Sequence, residues 1–314
     1  MRIGLIDVDG HHFPNLPLMK ISAWHKARGD TVEWYEPMFS GHMDKVYMSK
    51  VFSFSPDYEY CIDADEIVRG GSGYCIELVD GKEVYHAERD IDLPYEIEHI
   101  YPDYDLYGIT DTAYGFMSRG CPRGCNFCHV KTKPADGVKA RKVADLSEFW
   151  RGQKNIVLLD PNPIACKEWK DILQQLADSK AYVDFSQGVD IRLMTKEKAE
   201  MLRKIKIKNV HFAFDRYQDW DIVVPRLKEF ADATKWKRDR VSVYVLVNFD
   251  TTLQQDLDRI YAIRDIGFQP FVMIYNKKLL PRGNIYFKLQ RWANNPFVLW
   301  SCERFEDYDR KKFG

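Results

Sequence analysis

The chain alternates between short apolar strands and stretches with apolar residues at helical spacing. In its first part, strands are predicted over residues 2–8, 31–35, 45–52 and 66–69. A helix is predicted over 15–28, where Gly29-Asp30 ends the periodic pattern. Because strands joined by a helix pair in parallel, this part predicts a small three-layer α/β domain of Rossmann-like form.

A longer α/β pattern follows an irregular, tyrosine-rich connector at residues 94–111. Strands are predicted over 113–118, 156–160, 182–186, 210–215, 241–248 and 269–275, and helices over 146–152, 166–178, 196–203, 225–235 and 253–266. These units are too few for a closed (β/α)8 barrel, so the fold class is α/β with a partial (β/α)6 TIM-type barrel. The predicted domains are 1–108, 109–283 and a C-terminal extension, 284–314, that packs on the barrel.

Composition and charge say more about where the protein works than about the reaction that it performs. The formal net charge is -1, from 46 basic and 47 acidic residues, so no overall field attracts nucleic acid. Nucleic-acid binding is not excluded, because residues 204–208 and 235–240 form local basic stretches and the second contains Trp236. No apolar run reaches about 18 residues and no signal-peptide pattern is present, which predicts a cytoplasmic protein without a membrane partner.

Three cysteines within eight residues are the strongest chemical signal. Cys121, Cys125 and Cys128 have the spacing C-x3-C-x2-C and supply three thiolates without a fourth. Ferredoxin-type clusters and structural zinc sites both use four ligands, and His129 is too close to Cys128 to complete a tetrahedron comfortably. The other cysteines are isolated: Cys61, Cys75, Cys166 and Cys302. The pattern favours an iron-sulfur cluster with one open iron, with a zinc site as the alternative.

The run at residues 118–129 resembles the cluster loop of the radical S-adenosylmethionine (radical SAM) superfamily. The resemblance implies a 4Fe-4S cluster on Cys121, Cys125 and Cys128, whose open iron is chelated by S-adenosylmethionine (SAM). It also implies reductive cleavage of SAM to a 5'-deoxyadenosyl radical, with an electron donor of flavodoxin or ferredoxin type. Phe127 matches the aromatic position that packs near the adenine. The partial barrel predicted from the strand pattern is the fold that this resemblance implies.

The opening segment resembles the N-terminal cobalamin-binding-type domain of one branch of that superfamily. The likeness rests on residues 7–15, on the helix closed by Gly29-Asp30 and on a Gly-Gly turn at 70–71. The segment is short for such a domain, so a truncated domain that shapes the substrate pocket is favoured over one that binds cobalamin. His11 and His12 follow the first strand, where ligands collect in open parallel sheets, and are candidates for that pocket.

Two strand ends in the barrel carry candidate SAM-binding residues, because reactive groups gather at the carboxyl ends of barrel strands. Asp160 and Asn162 follow the second strand, where the resemblance implies contacts to the methionine amino group; the usual Gly-Gly-Glu is absent, and an ordinary turn is the alternative. Gln187, Asp190 and Arg192 follow the third strand and suit a ribose and a carboxylate. A structural Asp–Arg pair is the alternative there.

Further strand ends give candidates for the substrate side. Asp215 and Arg216 follow the fourth strand and Tyr275 closes the sixth, so each could face substrate. The sequence assigns neither a catalytic hydrogen donor nor a substrate. We predict a radical SAM enzyme that performs methyl transfer or a rearrangement. One alternative is methylthio transfer to RNA, although the sequence has no second three-cysteine site for this reaction. The other alternative is a non-catalytic iron-sulfur or zinc binding protein.

Overall fold

The computed structural model describes residues 1–10, 12–79, 82–133 and 137–313. The strands are β1 Arg2–Asp7, β2 Thr31–Trp34, β3 Met43–Ser49, β4 Ala64–Gly70, β5 Ile76–Val79, β6 Lys82–Tyr85, β7 Thr112–Gly115, β8 Ser118–Arg119, β9 Arg141–Lys142, β10 Asn155–Leu158, β11 Tyr182–Phe185, β12 Lys206–Ala213, β13 Val241–Val247 and β14 Gln269–Ile274. The helices are α1 Leu16–Ala27, α2 Ser72–Cys75, α3 Tyr95–Glu98, α4 Trp169–Ser179, α5 Lys196–Lys204, α6 Trp220–Thr234, α7 Leu253–Ile266, α8 Ile285–Asn294, α9 Pro296–Ser301 and α10 Arg310–Phe313.

The chain divides into two compact units, residues 1–156 and 157–314. The predicted domain limits at 108 and 283 stay a prediction. Across the described ranges, no helix is both long enough and apolar enough to cross a membrane.

A parallel four-stranded sheet of order β2-β1-β3-β4 forms the first part of the first unit. One face of β1 carries Ile3 and Leu5, which pack with Leu18 and Ile21 of α1. The other face packs under the irregular segment that contains Tyr58 and Ile62. A helix therefore covers one face of this sheet, and non-helical chain covers the other.

Two antiparallel strand pairs in this unit were not predicted. β5 pairs with β6 and β8 pairs with β9. In the sequence, Asp80-Gly81 separates β5 from β6, and Asp-Gly between alternating residues is a strong hairpin signal that the analysis missed. Those two residues lie outside the described ranges. The β8–β9 pair encloses the cysteine segment between its strands.

The predicted helix over 146–152 is wrong. The structure has a single 3₁₀ turn there, Leu146–Glu148, which begins with a capping box between Asp145 and Glu148. The backbone then leaves helical conformation at Phe149 (φ -135°), and the buried Phe149 ring packs over Gly115 so closely that no side chain would fit at that glycine. Tertiary packing of one aromatic ring therefore ends the helix that the local pattern favours.

The strands from β10 to β14 follow one another in chain order, and β11 to β14, which belong to the second unit, are parallel. Helices α5, α6 and α7 connect these parallel strands. Their buried side chains, such as Leu202, Leu227 and Ile260, form an apolar layer. All six strands predicted for the barrel segment are present, with shifted ends.

The start of α6 was predicted five residues too late, at Pro225. Proline is favoured in the first helical turn, but α6 begins at Trp220 and holds Pro225 in its interior. Val223 and Val224 are both buried, so the apolar face of the helix continues N-terminal to the proline. Burial of that face outweighs the hydrogen bond that the proline removes.

The C-terminal segment covers the edge strand β14. Asn294 on α8 accepts from Val272 N at 2.6 Å and donates to Val272 O at 3.0 Å, while Gln290 donates to the same carbonyl at 2.9 Å. These amide side chains satisfy backbone groups that an open sheet edge would expose. The fully buried Trp292 donates to Cys302 O at 3.0 Å and ties the following turn to the helix.

Candidate functional site

The cysteine segment is an excursion from the first unit, closed at its base by the β8–β9 ladder. Gly120 has φ +87°, a conformation that other residues rarely adopt, where the chain leaves β8. Cys121 N donates to Gly137 O at 3.1 Å, and Cys128 N donates to Cys125 O at 3.2 Å. Backbone hydrogen bonds thus hold both ends of the three-cysteine run.

The donor chemistry of this segment fits an iron-sulfur cluster, because it offers three half-buried thiols within one short loop. The thiols are not drawn together into a coordination group. Across the residues described, no three His, Cys, Asp or Glu side chains lie close enough to hold one metal ion. Metal sites are rarely preformed before the metal binds.

His129 directly follows Cys128 but is engaged elsewhere. Its Nε2 lies 3.0 Å from a carboxylate oxygen of Glu83, and its ring stacks on Tyr85 with a centroid separation of 5.9 Å. Both partners lie on the β5–β6 hairpin. The hairpin therefore holds His129 in a contact unrelated to metal binding, which disfavours a zinc site that would use this imidazole as its fourth ligand.

The carboxyl ends of β10 and β11 bring together the predicted SAM-binding residues of the second unit. Asp160 and Asn162 are 1% exposed, and Asn162 Oδ1 accepts from Asp190 N at 3.4 Å. The two loops are thus joined by a side chain that the sequence singled out. Gln187 in the same region is exposed.

Arg192 lies between two carboxylates. Its Nε donates to Asp190 Oδ1 at 2.8 Å, and its Nη1 donates to Asp219 Oδ2 at 2.6 Å. Asp190 also accepts from Arg192 N and so caps the turn Ile191–Leu193. Asp219 was not predicted, because only folding brings the start of α6 to this loop. The Asp190–Arg192 ion pair is present, and the predicted cofactor role of both residues stays a prediction.

The candidates for the substrate side lie at separate positions. Asp215 is half-buried and accepts from Leu246 N at 2.9 Å, whereas Arg216 is exposed. The Tyr275 ring packs edge-on against Phe249, with centroids 4.8 Å apart. In the first unit, His12 is exposed, and His11 lies outside the described residues.

Desolvation raises the pKa of Asp215 to about 6, and Arg259 and Arg192 offset only part of this effect. The folded chain therefore holds this proton more tightly than the unfolded chain, whose Asp titrates near the ordinary value of 3.8. The protonated Asp215 carboxyl therefore contributes fully to the free energy of unfolding below about pH 4, and this contribution is lost as the pH rises through about 6.

We expect Asp215→Asn to raise the free energy of unfolding by about 1–3 kcal/mol near pH 7.5, because Asn keeps an acceptor for Leu246 and cannot ionise. Urea unfolding measures the change, and the gain should shrink at about pH 4. The exposed Asp232→Asn serves as the control. A gain in the free energy of unfolding that is as large at about pH 4 as near pH 7.5 would show that ionisation of Asp215 is not its cause.

The sequence analysis missed a buried ion pair beneath these strand ends. Arg259 and Asp256 of α7 are both fully buried, with Arg259 Nη2 2.5 Å from Asp256 Oδ1. The guanidinium also donates to Phe214 O at 2.5 Å and to Leu246 O at 2.8 Å, so it links the ends of β12 and β13 to the helix. The helical pattern predicts the helix that holds Arg259, and no sequence signal distinguishes this residue.

A polar row across β11, β12 and β13 was also missed. His211 Nδ1 contacts Ser242 Oγ, and its Nε2 lies 3.6 Å from Asp184 Oδ1. The ring of Tyr244 stacks on His211 at 4.9 Å with an interplanar angle of 7°. The neighbouring His211 and a hydrogen bond from Asn209 hold the pKa of Asp184 below its usual range despite desolvation. Polar residues at alternate positions of three successive strands were the signal that was overlooked.

The carboxyl edge of the N-terminal sheet is occupied by side chains of the chain itself. Tyr107 donates its hydroxyl to Asp7 at 2.7 Å. Asp9 accepts from Phe52 N at 3.2 Å and from Ser55 Oγ at 2.6 Å. Internal contacts thus fix the region where a ligand of an open parallel sheet would lie.

Comparison with solved structures identifies the fold. The chain is similar to the radical SAM methyltransferase TsrM from Kitasatospora setae, solved with cobalamin and a 4Fe-4S cluster bound, with a TM-score of 0.57. The match covers 87% of this chain and 74% of that chain at 10% sequence identity. No family model and no curated protein matches the chain. The chain therefore has an α/β fold with parallel-strand sheets that resembles the fold of that enzyme.

Proposed function

We propose that this protein is a radical SAM enzyme. The observation that carries the proposal is the C-x3-C-x2-C thiol run, held as a closed excursion in a chain whose fold resembles a radical SAM methyltransferase. A partial (β/α)6 barrel and a truncated Rossmann-like N-terminal domain belong to the same proposal. The reaction class is methyl transfer or rearrangement on a substrate that is still to be identified, and the electron donor is a flavodoxin or ferredoxin.

In this proposal Cys121, Cys125 and Cys128 hold a 4Fe-4S cluster. When bound, that group supplies the electron that cleaves SAM. Phe127 packs near the adenine. The strand ends of the second unit bind the rest of the SAM molecule through Asp160, Asn162, Gln187, Asp190 and Arg192. The hydrogen bond from Asp190 N to Asn162 Oδ1 supports this assignment, because it brings the candidate residues of two strand ends to one place.

A truncated first domain that does not use cobalamin also belongs to this proposal. Tyr107 and Asp9 hold the carboxyl edge of its sheet through internal hydrogen bonds. A corrin bound there would have to displace them. The cobalamin in the Kitasatospora enzyme is a property of that protein. Reconstitution with cobalamin followed by gel filtration tests the point, and a corrin absorbance that stays with the protein would contradict it.

The test of the proposed reaction is anaerobic. The protein is reconstituted with iron and sulfide, reduced with dithionite and given SAM, and the products are separated by liquid chromatography. We expect a brown protein that converts SAM to 5'-deoxyadenosine and methionine. A fully loaded cluster that leaves SAM intact would contradict the proposal.

Arg192→Lys tests the SAM-binding role of the second unit. Lysine keeps the positive charge but loses the planar fork that Arg192 presents to Asp190 and Asp219. We expect SAM affinity to fall about tenfold, measured by equilibrium dialysis with the reconstituted protein. The matched control is Arg203→Lys on the exposed surface of α5. A loss of thermal stability with unchanged SAM affinity would show that Arg192 is only structural.

A further inference from the structure

The two basic stretches of the second unit meet at one edge of its sheet. Residues 204–208 lead into β12 and residues 235–240 lead into β13. These strands are parallel neighbours, and Val210 N donates to Arg240 O at 2.8 Å where the second stretch ends. Residues 180–182 lead into β11, which pairs in parallel with β12. Because parallel strands begin at the same edge of a sheet, the three segments form one surface, which we call the amino edge.

The amino edge carries many more cations than carboxylates. The first stretch has three lysines, and the second has four cations and one carboxylate, Asp239, in a chain of net charge -1. All of these cationic residues are exposed: Lys204, Lys206, Lys208, Lys235, Lys237, Arg238 and Arg240. Lys235 lies 3.6 Å from the exposed Asp232, and Arg240 lies 3.7 Å from Asp239. Within the described ranges, no carboxylate forms an ion pair with the three lysines of the first stretch, and Lys208 acts on Asp184 only at longer range. The edge is therefore locally positive.

Two lysines of this edge are held in a backbone conformation that lysine disfavours. Lys180 ends α4 with φ +56°, and Lys235 ends α6 with φ +60°. In the part of the chain that the structure describes, every other residue with a left-handed φ is glycine or asparagine, and α7 ends at the same edge with Gly267. The negative end of a helix favours a lysine, but glycine is the usual residue here because it has no Cβ. The amino edge thus keeps two cations where the backbone favours glycine.

An exposed aromatic ring lies among these cations. Tyr182 begins β11, is 44% exposed and pairs in register with Lys206 of β12. Lys206 Nζ lies 5.6 Å from the centroid of the Tyr182 ring. Proteins that bind single strands combine such rings, on which bases stack, with cations that contact the phosphates. An acidic protein surface would use the cations alone, so the ring favours a nucleic acid as the partner.

From these observations we infer that the amino edge binds single-stranded nucleic acid. The phosphates lie along Lys206, Lys208 and the stretch 235–240, and a base stacks on Tyr182. The strand ends proposed to bind SAM are carboxyl ends, at the opposite edge of the sheet, so the two sites are separate. The inference depends on the second unit alone and does not require the proposed reaction.

The experiment compares two labelled oligomers of equal length on the full chain by fluorescence anisotropy. One is oligothymidylate, and the other is an abasic oligomer with the same sugar-phosphate backbone. We expect oligothymidylate to bind about tenfold more tightly, because only its bases can stack on Tyr182. The logarithm of its affinity should fall with the logarithm of the salt concentration, by about 0.7 for each phosphate contact. Equal binding of the two oligomers, or no binding of oligothymidylate at low salt, would overturn the inference.

Two further probes define the class of partner. Oligouridylate of the same length is the RNA probe, and whichever of the two base-bearing oligomers binds more tightly identifies the favoured sugar. Poly-L-glutamate represents an acidic protein surface. We expect it to displace oligothymidylate poorly, because it has no base to stack. Displacement by an equal concentration of carboxylate charge would assign the edge to an acidic protein and overturn the inference.

Variants locate the binding surface on the chain. Lys206→Gln and Lys208→Gln should each weaken oligothymidylate binding about threefold and lower its salt dependence by about one phosphate contact. The matched control is Lys196→Gln, an exposed lysine at the start of α5 and thus at the opposite edge of the sheet. Tyr182→Leu should abolish the preference over the abasic oligomer, whereas Tyr182→Phe should keep it. An effect of Lys196→Gln as large as that of Lys206→Gln would contradict the location.

Lys180→Gly and Lys235→Gly separate binding from a structural role. Glycine adopts the left-handed conformation without steric cost, so the melting temperature should be retained. The affinity for oligothymidylate should fall about threefold for each lysine that is removed. A lower melting temperature with unchanged affinity would show that these lysines serve only the helix ends, and would overturn their part in the inference.

Discussion

Replacing any one of Cys121, Cys125 and Cys128 by Ala is expected to abolish the brown chromophore of the reconstituted protein. Two thiolates cannot hold a four-iron cluster that already lacks its fourth protein ligand. SAM cleavage should then fall below detection, a loss of at least about a thousandfold, because the electron for C–S cleavage comes from the cluster. Iron content, visible absorbance and 5'-deoxyadenosine formation measure the three consequences.

Cys61→Ala is the matched control for this experiment. Cys61 is an exposed thiol outside the excursion, so its removal should leave colour and turnover unchanged. A brown, active protein after loss of Cys125 would contradict the assignment of the cluster ligands. A protein that stays colourless and takes up zinc in place of iron would favour the zinc alternative.

A large loss of stability is expected when the buried ion pair of α7 is broken. Arg259→Leu leaves the carboxylate of Asp256 buried without its guanidinium and leaves the carbonyls of Phe214 and Leu246 without that donor. Breaking a buried pair from one side costs about 3–5 kcal/mol. We expect the free energy of unfolding, measured in urea, to fall by that amount.

The double variant Arg259→Leu/Asp256→Leu separates the charge from the packing. Removing both charges abolishes the uncompensated carboxylate, so part of the lost stability should return. The exposed pair of Arg226 and Glu229 on α6 provides the control, where Arg226→Leu should have little effect. A double variant that is less stable than Arg259→Leu would show that the guanidinium acts mainly through the strand carbonyls.

The strands β1 to β4 and β10 to β14 were predictable because their signal is local. Alternating or continuous apolar residues, as in 241–248, give the period of a strand whatever the rest of the chain does. The prediction of a helix over 146–152 was wrong because a distant glycine, Gly115, provides the space that the Phe149 ring fills. The predicted start of α6 was wrong because the burial of Val223 and Val224 extends the helix beyond the proline, which usually lies in the first turn.

The candidate site was predictable only where the chemistry lies within a few consecutive residues. The cysteine run and the loop that holds Asp190 and Arg192 are of this kind. Asp219 and the Asp184–His211 contact depend on strand register and on loop approach, which a sequence pattern does not encode.

The most direct test of the account is electron paramagnetic resonance of the reconstituted and reduced protein, with and without SAM. We predict about four irons per chain and a reduced-cluster signal. That signal should change shape when SAM binds the open iron, and should be absent once Cys121, Cys125 and Cys128 are all replaced by Ala. A reduced-cluster signal that is identical with and without saturating SAM would contradict an open iron that binds this cofactor.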